Sequence, residues 1–299
     1  SKLKVKGRDE ISQLCHALNE LISRLETGIA QDVSRNRGID QAKTDFVAIA
    51  SHQLRTPLSI IKWYIDFLIS EDAGDLTDDQ KKYLREVYTS NERLIELVNG
   101  LLDVSRIDLG TFAIEPEPAD MVALAREAVE KFRPQIEEKG ISLETQFDNL
   151  PVMSLDPRLT KIVFENILSN AVKYTPEHGR IRLIVKKTAN HVLIKISDTG
   201  CGIPRAQQPQ IFTKLFRADN VKKFESIGTG LGLYVAKAVI EKSGGRIWFE
   251  SPSLDLLLEE SQTGKTPLDK MNKGTTFFIT IPLTGMKKKK GTKKLASLQ

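Results

Sequence analysis

Two amphipathic stretches, residues 41–70 and 78–108, constrain this 299-residue chain more than any other feature. In the second, Leu84, Val87, Asn91, Leu94, Val98, Leu101 and Ser105 alternate by three and four residues, the signature of a helical seam. The first carries Phe46, Ile49, Leu54, Leu58 and Ile61 at helical spacing, with His52, Arg55 and Thr56 on another face. Residues 71–78 make the turn, and Thr77 with Gln80 three residues on predicts a capped start for the second helix. One such hairpin cannot bury both apolar stripes, whereas two paired as a four-helix bundle can, so a homodimer is expected. Asn91 in the seam costs stability but can fix the register. Pro57 removes the donor that would bond the carbonyl of Gln53 and is expected to bend the first helix.

From Asp120 onward the pattern changes to alternating strands and helices. A helix is expected over 121–138, interrupted or ended near Pro134, with further helices over 157–173 and 235–243. Strands are expected at 141–147, 181–185, 191–197, 246–250 and 276–281. Helices on one face of such strands describe an α/β sandwich. Near the amino terminus, Ile11, Leu14, Leu18, Leu21 and Leu25 form a coiled-coil seam.

Three short segments carry chemistry. Asn166 and Asn170 lie one helical turn apart and point the same way; their carbonyls are hard oxygen ligands suited to Mg²⁺, and Lys173 on that face can reach a phosphate. Asp198-Thr-Gly-Cys-Gly-Ile203 follows a strand, so Gly200 and Gly202 permit close backbone approach while the carboxylate can accept from an exocyclic amine. Gly228-Thr-Gly-Leu-Gly-Leu233, with Gly228, Gly230 and Gly232, opens a helix whose free N–H groups favour phosphate. No Walker fingerprint is present.

The string Ser51-His-Gln-Leu-Arg-Thr-Pro-Leu58 resembles the H box of sensor histidine kinases. The asparagine pair, the Asp-x-Gly-x-Gly loop, Ile211-Phe-Thr-Lys-Leu-Phe-Arg217, the Gly-x-Gly-x-Gly loop and Gly274-Thr-Thr-Phe277 follow in the order of that family's ATP-binding domain. The resemblance covers residues 40–285 and implies a multidomain protein, an all-α dimeric four-helix-bundle domain followed by an α/β sandwich ATP-binding domain. It implies that His52 attacks the γ-phosphate of ATP and passes the phosphoryl group to an aspartate of a response regulator. By the same resemblance Asn170 coordinates Mg²⁺, Asn166 supports it, Lys173 contacts phosphate and Tyr174 lines the pocket. Asp198 reads the adenine amine, Thr275 or Thr276 completes the base pocket, and Arg217 reaches the γ-phosphate. Thr56 resembles the residue that positions water for dephosphorylating the regulator.

The domains expected are a HAMP-like second helix and signalling coiled coil (1–40), a dimerisation and phosphotransfer hairpin (41–110), a linker (111–118), an ATP-binding domain (119–285) and a basic tail without fixed structure (286–299). The half-HAMP start implies a cytoplasmic fragment of an inner-membrane-anchored receptor whose sensor region lies upstream. No apolar run approaches the length of a membrane span, and Cys15 and Cys201 lack metal spacing, which fits a reducing cytosol. The net charge of +5 becomes about −1 without the six lysines of the tail, so no nucleic-acid partner is expected.

Two departures from the family stand out. The usual acid after the histidine is Gln53, which can orient an imidazole but cannot act as a base, so a kinase-weak sensor or scaffold acting mainly as a phosphatase is the alternative. About twenty residues, 252–272, replace a short turn. The related gyrase and chaperone ATPases need a glutamate four residues before the metal-binding asparagine, where this chain has Asn166; Glu165 lies ~100° around the helix.

Overall fold

The structure, a computed structural model, describes residues 53–70, 74–221, 228–253, 274–291 and 295. The expectations on residues 1–40, on the first helix over 41–52 with Phe46, Ile49 and His52, and on most of the 252–272 insertion therefore lie outside the described residues.

Helix α1 is described over 53–69 and runs through Pro57. Helix α2, Asp78–Asp108, begins with the expected capping box: the Thr77 hydroxyl accepts from the Gln80 N–H, and Gln80 Oε1 accepts from the Thr77 N–H at 2.9 Å. Asn91 is buried and donates to the Leu58 carbonyl at 2.9 Å, a cross-helix bond worth about 1 kcal/mol that fixes one register. The apolar side chains that this contact leaves outside include Trp63, Tyr64, Val87 and Leu94, each about half exposed or more.

The α/β part begins earlier than the sequence suggests. Residues 111–118, expected as a linker, are packed: Phe112 and Ile114 have no exposed surface, and β1 (Glu117–Ala119) pairs antiparallel with β3 (Met153–Leu155). Helix α3, Met121–Glu138, continues through Pro134, which removes one intrahelical bond without ending the helix. Asp120 caps it by accepting from Val122 and Ala123. Strand β2 (Ser142–Phe147) lies parallel to β4 (Arg180–Lys187), and α4 (Pro157–Tyr174) makes the crossover that a parallel pair requires. Buried Asp156 caps α4 with Oδ1 and accepts the Glu115 N–H with Oδ2, tying the chain before β1 to this helix.

Strands β5 (His191–Asp198), β6 (Arg246–Glu250) and β7 (Thr275–Pro282) complete a five-stranded sheet of order β2-β4-β5-β7-β6, antiparallel apart from β2–β4. Ile181, Leu183, Val185, Val192, Ile194, Ile196, Ile279 and Ile281 alternate onto one buried face, which α3, α4 and α5 (Gly232–Lys242) cover. The result is the expected helical hairpin followed by an α/β sandwich. The tail differs from expectation: Met286 donates its N–H to Ser154 O, Lys289 forms a β-bridge with Ile114, and Lys289 Nζ donates to Gly110 O at 2.9 Å above the Phe112 ring. A lysine whose stem packs on an aromatic ring can lie against a domain while its charge is satisfied by carbonyls.

Candidate nucleotide site

A cavity of about 450 Å³ opens between α4, the loop after β5, the segment 211–221 and the loop into α5. Asn166, Asn170, Lys173, Tyr174, Asp198, Gly202, Arg217, Gly228, Gly230, Gly232 and Thr275 line it, so one site gathers residues spread over more than a hundred positions.

Asp198 ends β5 and is nearly fully buried. Its Oδ1 accepts from the N–H of Gly200 at 2.8 Å and of Thr275 at 3.2 Å, leaving Oδ2 for a ligand donor. Burial pushes its carboxyl up to about 7, and the two N–H bonds only partly oppose that. Gly200 packs against this carboxylate and the Tyr174 carbonyl, where a β-carbon would lie at 2.7 and 2.8 Å. Thr275 faces the cavity. Thr276 does not: it is fully buried, and its hydroxyl bonds Ser253 at 2.7 Å and Ser197 at 3.0 Å behind the strand. Successive strand residues point to opposite faces, so only one of the two threonines can serve the base pocket.

Across the cavity stand two cations. Lys173 is held down to about 8, by burial first and then by the Arg217 guanidinium, with Glu96 opposing. Arg217 Nε and Nη2 are buried without a hydrogen-bond partner among the described residues. Buried guanidinium N–H groups without an acceptor are costly, and an anion such as phosphate relieves that cost. Burial also raises Tyr174, beside Lys173.

The glycines of the second loop fit around these groups. A β-carbon on Gly232 would collide with Asn166 Oδ1, and one on Gly228 would lie 2.7 Å from Lys173 Nζ. Gly230 adopts a left-handed φ of 69° while packed on the backbone of Leu215 and Phe216. Leu215 itself has φ 58°, unusual for leucine, in the segment that delivers Arg217. Asn166 Nδ2 donates back to the Ile162 carbonyl at 2.8 Å, so this amide braces the loop. Asn170 also lines the cavity and makes no side-chain hydrogen bond among the described residues, which leaves its carbonyl available to a hard cation.

Gln53 and Thr56 lie exposed on α1. His52 lies outside the described residues, so the structure does not relate it to the cavity. Sequence reasoning missed one whole wall: Glu96, Asn99, Gly100 and Asp103 of α2 line the cavity, and Leu231 packs onto Gly100, whose β-carbon would meet it at 2.9 Å. Nearby, Asp108 accepts from the Tyr234 hydroxyl at 2.6 Å and from Lys214, which pins the end of α2 to α5; burial first, and then the Asp108 carboxylate, raise the Tyr234 hydroxyl to about 12. Gly100, a glycine inside a helix, was the available signal for the close approach of Leu231.

Comparison with known proteins agrees with this geometry. Residues 42–110 match the His Kinase A (phospho-acceptor) domain, and residues 155–285 match the histidine kinase-, DNA gyrase B- and HSP90-like ATPase family. The circadian input-output histidine kinase CikA of Synechococcus elongatus is 35% identical over 244 residues, 81% of this chain and 30% of that protein. The chain thus spans less than a third of that relative. The fold is similar to full-length ShkA in complex with AMPPNP (TM-score 0.61, 24% identity, 79% of this chain and 45% of that one). It is also similar to histidine kinase ThkA in complex with the response regulator TrrA (TM-score 0.52, 23% identity, 80% of this chain and 61% of that one). With a phosphoacceptor domain and an ATPase domain in this order on one chain, the protein belongs to the sensor histidine kinases.

Proposed function

We propose that the chain is the core of a sensor kinase that phosphorylates its own His52 from Mg-ATP and passes the phosphoryl group to an aspartate of a response regulator. The observation that carries this reading is the pairing, in one cavity, of a buried carboxylate that keeps one oxygen for a ligand with two cations, Lys173 and an Arg217 whose Nε and Nη2 have no hydrogen-bond partner among the described residues. Adenine donates its amine to Asp198 Oδ2, and Thr275 closes the base pocket. Lys173 and Arg217 hold the phosphates, which positions the γ-phosphoryl group and neutralises the charge that spreads over its oxygens. Asn170 would hold Mg²⁺, with Asn166 supporting it; a magnesium ion supplies charge neutralisation between the phosphates. In the transfer, a ring nitrogen of His52 attacks the γ-phosphorus, the bond to the β–γ bridging oxygen breaks, and ADP leaves. The imidazole proton then passes to water, because the Gln53 amide has no basic site.

The exposed apolar face of the hairpin supports a homodimer. The likeness to ThkA, which is found with a response regulator, supports a receiver domain as the partner. The family's usual placement, a cytoplasmic kinase core attached to an upstream membrane sensor, is proposed for the whole protein. Among the described residues, no helix is long and apolar enough to cross a membrane.

Gln53 favours a second reading, a slow kinase whose main output is dephosphorylation of the regulator, with Thr56 positioning the water. Phosphotransfer profiling against a panel of receiver domains tests both. A kinase labels itself and then one receiver within minutes, whereas a phosphatase strips a pre-phosphorylated receiver without labelling itself. A chain that does neither refutes the assignment.

A further inference from the structure

One side chain joins the base loop to the segment that carries Arg217. Asn220 lies in the short 3-10 turn Asp219–Val221, three residues after Arg217. Its Nδ2 donates to the Gly202 carbonyl at 2.9 Å and the Cys201 carbonyl at 3.3 Å. The neighbouring Asp219 is held as well: its N–H donates to Gln207 Oε1 at 2.9 Å, and its carboxylate accepts from Gln207 Nε2. Gln208 donates to the carbonyls of Ile203 at 3.1 Å and Ser251 at 2.8 Å, and Ser251 Oγ accepts the Ile203 N–H at 2.8 Å. Three consecutive carbonyls of the base loop, those of Cys201, Gly202 and Ile203, are thereby each gripped by a side-chain amide.

Stability alone does not account for Asn220. Its Oδ1 is buried without a hydrogen-bond partner among the described residues, a cost that another residue at this position would avoid. On either side of it, Ala218 and Val221 are buried and line the cavity together with Arg217, so the residues flanking Asn220 form part of one wall. The base loop forms the adjoining wall through Cys201, Gly202 and Ile203.

We propose that Asn220 is a positioning residue that couples the base loop to the γ-phosphate contact of Arg217; the proposal rests on the reading of the cavity as an ATP site. Adenine bound at Asp198 fixes the carbonyls of residues 201 and 202. Those carbonyls fix Asn220, and the short turn carries the constraint back to Arg217. Loss of Asn220 is then felt at the γ-phosphate, although its side chain touches only the base loop. If Asn220 merely stiffens that loop, ATP and ADP, which share the adenine, lose affinity equally.

The test is titration calorimetry of Mg-ATP and Mg-ADP with the full chain and with Asn220→Ala, Asn220→Asp and Arg217→Ala. Asn220→Asp keeps the shape and replaces the donor by an acceptor, so it separates the hydrogen bonds from packing. Both Asn220 variants are expected to weaken ATP about tenfold or more and ADP about threefold or less, while Arg217→Ala weakens ATP and spares ADP. Equal losses for the two nucleotides in the Asn220 variants, or parental affinity in Asn220→Asp, overturn the coupling if Arg217→Ala still discriminates. An Arg217→Ala that loses both nucleotides alike overturns the γ-phosphate assignment and the coupling with it.

Discussion

Replacing Asp198 by Asn keeps the size of the side chain and removes a charge that the fold holds at a cost. The carboxyl is almost fully buried, and its backbone donors do not offset the lost solvation, so it titrates at about 7 rather than at 3.8. The folded state therefore binds the proton more tightly than the unfolded chain. The stability this proton provides is fully present below about pH 3.8 and is lost as pH rises through about 7. At 1.36 kcal/mol for each pH unit between those values, the ionised carboxylate costs at most about 4 kcal/mol at pH 8. Asn has no charge to desolvate, and its Oδ1 can still accept from Gly200 and Thr275. Asp198→Asn should thus stabilise the nucleotide-free protein by about 2–4 kcal/mol at pH 8 and by little at pH 4. Its amide would place a donor where adenine also presents a donor, so ATP affinity should fall about tenfold to a hundredfold. Urea unfolding at the two pH values and calorimetry with ATP measure both effects. A variant no more stable than the parent at pH 8 refutes the burial account, and parental ATP affinity refutes the role of Oδ2.

Three further outcomes follow from the same geometry. ATP affinity should peak between about pH 7 and 8, because Asp198 is protonated below that window and Lys173 loses its charge above it; calorimetry showing a monotonic profile contradicts this. Gln53→Glu should speed autophosphorylation, at the low end of the ~10²–10⁴-fold range of general-base assistance, and an unchanged rate in a labelling time course places the proton acceptor elsewhere. Light scattering should give a dimer at micromolar concentration, and Leu94→Glu on the exposed hairpin face should shift it toward monomer; a monomeric parent refutes the four-helix arrangement.

The hairpin was legible because helical period and the Thr77–Gln80 cap are local signals, and both reappear in α2. The asparagine pair and the two glycine loops were legible because each needs particular residue types at close backbone approach, as Gly232 against Asn166 illustrates. Strands β1 and β3 were not: three residues are too few to alternate, and Pro116 and Pro118 read as a linker. The packed tail was hidden by its lysines, since charge alone does not reveal that Lys289 lies on Phe112. Glu96, Asn99 and Asp103 were missed because a helical seam sorts residues by face and says nothing about which domain docks there. Asn220, a lone amide in a short turn, carries no periodicity at all. The choice between Thr275 and Thr276 was decidable from strand alternation once Asp198 was placed opposite Thr275 in the register.

The most direct test of the central claim is to map the phosphate on the chain after incubation with Mg-ATP. The account predicts one acid-labile, base-stable phosphoryl group per chain, located on His52 by mass spectrometry, absent from His52→Ala and strongly reduced in Asp198→Asn. Label that persists in His52→Ala, or acid-stable phosphate on serine or threonine instead, contradicts it.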